Sequence, residues 1–233
     1  MNRNQLKYFA IVCMTLDHIA WLFVDGLNPL IGGIMHLFGR LTAPIMAFFV
    51  AEGYEHTRDV KKYTERLAVF ALISWPAYSL AQHGTLPIIW FSDGGLVFRY
   101  NQSMIFTLLM ALIALRVYDS GLKKWAKALI IAALCVISCI GDWFVFPIGA
   151  CLLLHAFKDS KKKRFIAFEI WSFLVALSSV FSQWFQIGVV FAPIIIYFLY
   201  NGESGSKKPF HKWFFYIYYP AHLLILGIIN LIV

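Results

Sequence analysis

The chain has 233 residues, of which 61% are hydrophobic and only 14% charged, whereas soluble globular domains carry roughly a quarter charged residues. Apolar runs of about twenty residues recur along it, each long enough to cross a hydrocarbon core of roughly 30 Å, which argues against a soluble fold. The net charge of +8 does not point to nucleic acid, because the positive residues fall in short clusters between apolar runs and not on one continuous face.

The first apolar run, 6–24, is longer than the core of a secretion signal and no small-residue cleavage site follows it, so it reads as a first membrane span. Further spans are predicted near 30–54, 64–82, 103–118, 124–140, 143–157, 164–181, 184–200 and 211–231, nine helices in all. Between the third and fourth, residues 83–102 contain two β-prone runs around Ser92-Asp93-Gly94-Gly95, the pattern of a hairpin that covers an outward-facing cavity. Gly141-Asp142 and Ser182-Gln183 leave room only for tight turns between antiparallel helices. Asp142 reads as the N-cap of the sixth span and Tyr200-Asn201-Gly202 as a helix C-cap. The expectation is an all-α, polytopic membrane helix bundle forming a single domain over 1–233, with no internal repeat.

Placing the N-terminus inside puts the clusters at 3–7, 58–66, 116–127, 158–164 and 207–212, together 18 of the 20 basic residues, on one side. Only Arg99 falls opposite and Arg40 lies within a span, so the positive-inside rule predicts N-terminus in and C-terminus out. The expected location is the bacterial cytoplasmic membrane, crossed many times. Cys13, Cys135, Cys139 and Cys151 all lie in apolar runs and read as packing residues, not as a disulfide framework.

Ionisable groups at bilayer depth are the candidate site. Asp17 and Arg40 would together cost about 5–7 kcal/mol if unpaired, so they need a reason to be kept. One reason is structural: an Asp17–Arg40 ion pair locking two helices, with His18 and His36 beside it. The other is functional, because intramembrane ionisable groups commonly mark sites. His36 and Arg40, four apart, share a helix face. Lys7 and His18, eleven apart, also share one, about 16 Å apart along the axis, so an anionic-headed ligand held at Lys7 would present its far end to His18. Glu52 reads first as an interfacial carboxylate paired with Arg58 or Lys62. His222 follows Pro220 in the last span and is placed to satisfy carbonyls freed by the proline. No zinc spacing, phosphate loop or nucleophile elbow is present, so metal chemistry and serine hydrolysis are not expected.

These residues also fall into a familiar series. Leu16-Asp17-His18-Ile19, Phe38-Gly39-Arg40-Leu41-Thr42-Ala43-Pro44-Ile45 and Phe48-Phe49-Val50-Ala51-Glu52-Gly53-Tyr54 resemble the TraX family. So do His56-Thr57-Arg58-Asp59, Gly141-Asp142, Tyr200-Asn201-Gly202 and Tyr219-Pro220-Ala221-His222-Leu223, in family order over nearly the whole chain. The family commonly has an aromatic residue where this chain has Ala43.

The resemblance implies a link to acetylation of the F-pilin N-terminus in conjugation, and a relation to the acyltransferase type three superfamily of membrane enzymes. It further implies acetyl-CoA as acyl donor from the cytoplasm, with an acceptor peptide or small molecule outside. Lys7 and His18 match that superfamily's spacing of a basic residue and a catalytic histidine, while Lys62 and Arg66 match its second basic motif only in part. On that footing His18 is the expected general base, Asp17 would orient it, and Arg40 would steady an oxyanion or the donor. Lys7, Lys62 and Arg66 would bind the donor, and His36, Glu52, Asn201 and His222 would support the site. A small transporter or channel remains the alternative, since it too explains buried charges in a bundle.

Overall fold

A computed structural model describes residues 1–92, 95–98, 100–206 and 208–232, except the side chains of 88–92, 95–98 and 212. Asp93 and Gly94 of the expected hairpin turn, the lone outer Arg99 and Lys207 of the last basic cluster lie outside the described residues, as does the side chain of Lys212.

Helix α1 (Arg3–Ile19) runs into a π-helical turn, Ala20–Val24. It is followed by α2 (Pro29–Gly39), α3 (Thr42–His56) and α4 (Val60–His83), and then by the strands β1 (Ile88–Ser92) and β2 (Gly95–Phe98). Next come α5 (Met104–Tyr118), α6 (Lys124–Ser138), α7 (Phe146–Ala156) and α8 (Lys161–Ser179). A 3-10 turn, Trp184–Ile187, leads into α9 (Gly188–Leu199), and α10 (Pro209–Ile232) closes the chain. The regular elements among the described residues are therefore helical apart from one antiparallel hairpin, with Ile88 opposite Phe98 and Ser92 opposite Gly95, and a lone parallel bridge between Gln102 and Gly141.

Local chemistry sets the ends. Asn2 accepts from the backbone N–H of Gln5 while the Gln5 side chain accepts from that of Asn2, a capping box for α1. Asp59 caps α4 by accepting from the N–H of Lys62, and Gly84 ends it at φ +65°, where a side chain would be strained.

The second predicted span, 30–54, is broken. Pro44 has no N–H for the carbonyl of Arg40, and the chain resets one turn earlier, with Leu41 N–H donating to Phe38 at 3.1 Å before α3 begins. The π-helical turn likewise interrupts the first span, with Asp25 N–H donating to the carbonyl of Ala20 at 2.9 Å. Asp142 is not an N-cap: α7 begins at Phe146, capped at Val145 without a side-chain bond. The N–H of Asp142 instead donates to Gln102 at 2.9 Å, and Trp143 and Phe144 turn the chain at positive φ.

Helix α5 is apolar on every side and lies inside, against α3, α4, α6 and α7, with Ala111, Leu112, Ala114 and Leu115 fully buried. The ends of the helical segments sort into two sets. At one end, Arg3 bonds Glu52, Tyr200 bonds Glu52, Tyr54 and His155 bond Asp119, Arg164 bonds Glu55, Arg116 bonds Thr64, Lys127 bonds Tyr118 and Asn4 bonds Ser206. This basic end thus gathers the terminus of every helical segment that the charge alternation assigns to one side. At the other end, Gln102 meets Ile140 and Asp142, and Gly33 packs against Trp184.

Among the described residues three helical stretches, Arg3–Val24, Pro29–His56 and Pro209–Ile232, are long and apolar enough to cross a membrane. Others carry apolar residues on their outer faces, such as Val136 on α6, 72% exposed, and Phe173 on α8, 54% exposed. A belt of such residues is costly in water.

Candidate functional site

A cavity of about 400 Å³ opens at the basic end between α1, α3, α4, α5 and α10. Its mouth carries Arg3, Lys7, Arg66 and Lys208. The Lys7 ammonium lies over the rings of Phe49 and Phe215, 5.1 and 5.2 Å from their centroids, an arrangement that tolerates a cation without neutralising it. Arg66 lies 5.8 Å from the ring centroid of Tyr63, and its buried Nε has no hydrogen-bond partner. Lys62 stands outside the cavity, 73% exposed and 3.4 Å from Asp59, so of the expected pair Lys62 and Arg66 only Arg66 lines it.

Glu52 does not pair with Arg58 or Lys62. It faces inward, where its carboxylate accepts from Arg3 Nε at 3.0 Å and from Tyr200 Oη at 2.7 Å. Helix α3 stops at His56, so Arg58 and Lys62 belong to the next turn of chain and cannot follow Glu52 into the interior.

The apolar depth of the cavity follows one stripe of α1. Lys7, Ala10, Ile11 and Met14 line it, and His18 continues the stripe one turn further, so the shared face expected for Lys7 and His18 is present on a single helix. The cavity stops at Met14, Met104 and Tyr219, short of His18 itself. His18 is buried, with its Nδ1 2.7 Å from Nε2 of His222.

The direction of that bond follows from its neighbour. His222 Nδ1 lies 2.9 Å from the carbonyl oxygen of Tyr218, which can only accept, so Nδ1 of His222 carries the proton. In the neutral ring its Nε2 is then a lone pair, and His18 Nδ1–H donates to it. The remaining nitrogen of neutral His18, Nε2, is left unprotonated and able to accept a proton. The carbonyl freed by Pro220 is that of Tyr216, four residues back, so His222 is not serving the proline kink as expected.

Asp17 does not orient His18. Adjacent positions on a helix diverge by about 100°, and the Asp17 carboxylate turns to α2, where it accepts from His36 Nδ1 at 2.8 Å and from Arg40 Nη2 at 3.1 and 3.2 Å. The other ring nitrogen of His36 lies 2.9 Å from Asp25 Oδ2. With carboxylates on both sides, both ring nitrogens must donate if both carboxylates are ionised, which makes the ring a cation and leaves Asp17, Asp25, His36 and Arg40 balanced in charge. The Arg40 guanidinium also lies over Trp143 and Phe185, 5.1 and 5.6 Å from their centroids. Arg40 is thus held away from the cavity. Gly39 is the backbone position that lets Asp17 approach, since a Cβ there would overlap the carboxylate.

Asn201 bonds Glu203 and lines a different cavity, beside α8 and α9. Among the described residues no cluster of His, Cys, Asp and Glu could hold a metal, and the four cysteines are free. Sequence reasoning missed Asp25, whose neighbour Gly26 marks it as loop, and the Tyr54–Asp119–His155 cluster at the basic end. Burial alone would raise the Asp119 carboxyl, but hydrogen bonds from Tyr54 and His155 hold it below the usual range. A histidine one turn inside the end of a span was the available signal for that cluster.

The TraX protein family matches the chain over residues 2–230, and the chain belongs to that family. A probable fimbrial assembly protein FimC, serogroup H1, of Dichelobacter nodosus is 31% identical to it over 247 aligned positions, covering 97% of each chain. No solved structure matches.

Breaking a buried ion pair by removing one partner costs about 3–5 kcal/mol because the other charge is stranded. Arg40→Met and Asp17→Asn should each lower the thermal midpoint of the purified protein in detergent, while the double variant should lose clearly less than the two losses added. Additive losses would show that the pair does not hold α1 to α2.

Proposed function

We propose that this chain is a multi-pass membrane acetyltransferase of the bacterial cytoplasmic membrane, with its basic end in the cytoplasm. It would move the acetyl group of acetyl-CoA to an amine or hydroxyl presented from the outside. The observation that carries the reading is a basic-mouthed cavity that runs along α1 to within one turn of a histidine whose Nε2 is left as a free base by the bond from its Nδ1 to His222. Membership of the TraX family supports it through the pilin acetylation that the sequence resemblance implies, as does a relative named for fimbrial assembly, and a pilus-related peptide N-terminus is the acceptor these favour.

The phosphates of the donor would meet Arg3, Lys7, Arg66 and Lys208, where the cations outnumber Glu52. Its slender arm would lie along the apolar stripe of α1, bringing the thioester to Met14. Methionine is flexible and can yield at the closed end of the cavity. Beyond it, His18 Nε2 would take the proton of the acceptor amine or hydroxyl as that group attacks the thioester carbonyl. The tetrahedral intermediate collapses with cleavage of the carbon–sulfur bond, and the proton on His18 passes to the departing thiolate. His222 would act as a positioning residue, fixing the tautomer of His18. Asp17, His36 and Arg40 would act by holding α2 against α1.

Purified protein in proteoliposomes with radiolabelled acetyl-CoA and a pilin-type peptide tests the chemistry. His18→Ala should lower turnover by about 10²-fold or more, in line with loss of a general base. His222→Ala should lower kcat at nearly unchanged KM, and His222→Gln, whose carbonyl can still accept from His18, should recover part of it. Lys7→Met should raise KM for acetyl-CoA. Turnover that survives His18→Ala rejects the mechanism, and absence of CoA binding favours the transporter reading.

Orientation is tested separately by cysteine labelling of intact cells. Leu27, 86% exposed in the loop before α2, should be labelled from outside as Leu27→Cys, and Lys162→Cys should not. The reverse pattern overturns the orientation.

A further inference from the structure

A second cavity, of about 390 Å³, lies at the basic end beside α8 and α9 and is separate from the first except that Glu52 lines both. Its polar lining has three cations, Lys158, Lys161 and Arg164, spaced three residues apart at the entry to α8, together with Glu52, Tyr197, Tyr200 and Asn201. Its floor is apolar, from Leu154, Phe165, Phe168, Pro193 and Ile196.

Among the described residues the two lysines make no ion pair, whereas Arg164 is paired with Glu55. Glu52 is occupied by Arg3 and Tyr200. Lys161 Nζ lies 5.0 Å from the centroid of Tyr197, and the Arg164 guanidinium 5.4 Å from that of Phe48. Arg164 gives Nη2 to Glu55 at 3.2 Å but keeps a buried Nε with no hydrogen-bond partner. Three cations above an apolar floor suit a ligand that is anionic at one end and apolar at the other. The five apolar side chains of the floor suit an acyl chain better than the polar edges of a nucleotide. The outer faces of the same helices continue the apolar surface, with Phe173 on α8 and Phe198 on α9 both exposed.

We propose that this second cavity binds one anionic phospholipid, its phosphate held by Lys158, Lys161 and Arg164 and an acyl chain laid on the apolar floor. Charge complementarity selects the headgroup, since a zwitterionic lipid gains less from a cluster in which cations outnumber carboxylates. The site is distinct from the donor cavity, and neither lysine lines that cavity.

Native mass spectrometry of the full chain, released from nanodiscs containing equal phosphatidylglycerol and phosphatidylcholine, reads the bound lipid directly. One phosphatidylglycerol should be retained per chain in preference to phosphatidylcholine. The double variant Lys158→Gln/Lys161→Gln, at exposed positions that should not affect folding, should weaken its retention by about tenfold or more. Lys123→Gln/Lys124→Gln, also at the basic end but outside the cavity, should leave it unchanged. Equal retention of phosphatidylcholine, or equal loss in the two double variants, overturns the proposal. So does displacement of the lipid by millimolar inorganic phosphate, which would make this a site for the free anion. Acetyl-CoA turnover by the Lys158/Lys161 variant in detergent should match the parent protein, so failure of the lipid site and failure of the acetyltransferase reading would be seen apart.

Discussion

The seam between the first and last helices is the contact on which the candidate site depends. Tyr8 Oη meets His211 Nδ1 at 2.8 Å, Thr15 Oγ1 meets Tyr218 Oη at 2.9 Å, and His18 Nδ1 meets His222 Nε2 at 2.7 Å. Polar contacts between helices in an apolar surrounding are worth only about 0.6 kcal/mol each on average, so the seam matters less for its strength than for the register it fixes. A shift by one residue along either helix would unpair all three. Because α1 and α10 also form two walls of the basic-mouthed cavity, the same register sets how the mouth lines up with the histidine pair.

Positions 17 and 18 divide two tasks between neighbouring residues. Asp17 points to α2 and closes a compact group with Asp25, His36 and Arg40 that sums to neutrality when His36 is protonated. His18 points to α10 and is left with a basic nitrogen. The separation has a physical advantage: the imidazole is steered by a neutral ring and a carbonyl, and the carboxylate that would draw a proton onto it is engaged elsewhere. On the proposed mechanism the structural and functional readings of these buried groups, rivals when only the sequence is considered, belong to different residues.

Much of this was legible beforehand. Basic clusters between apolar runs gave the alternation of helix ends, and the basic end does gather those termini. The eleven-residue step from Lys7 to His18 identified the face of α1 that lines the cavity. What escaped was governed by contacts distant in sequence. Glu52 faces Arg3 and Tyr200 rather than its neighbours in sequence, and nothing near it in the chain says so. The break at Arg40 could have been read from Pro44, but the apolar run around it masked the reset. The π-helical turn at 20–24 and the positive φ of Trp143 and Phe144 leave no trace in hydropathy, because they arise from how the chain must bend to bring Asp25 to His36 and Gln102 to Asp142.

The central claim is that an acyl donor enters at the basic end and reaches His18 along α1. A structure in nanodiscs with a non-hydrolysable acetyl-CoA analogue tests this most directly. The account predicts the phosphates among Arg3, Lys7 and Arg66 and the thioester mimic beside Met14 and His18. The analogue seated in the cavity of Lys158 and Arg164, or left unbound, would contradict it.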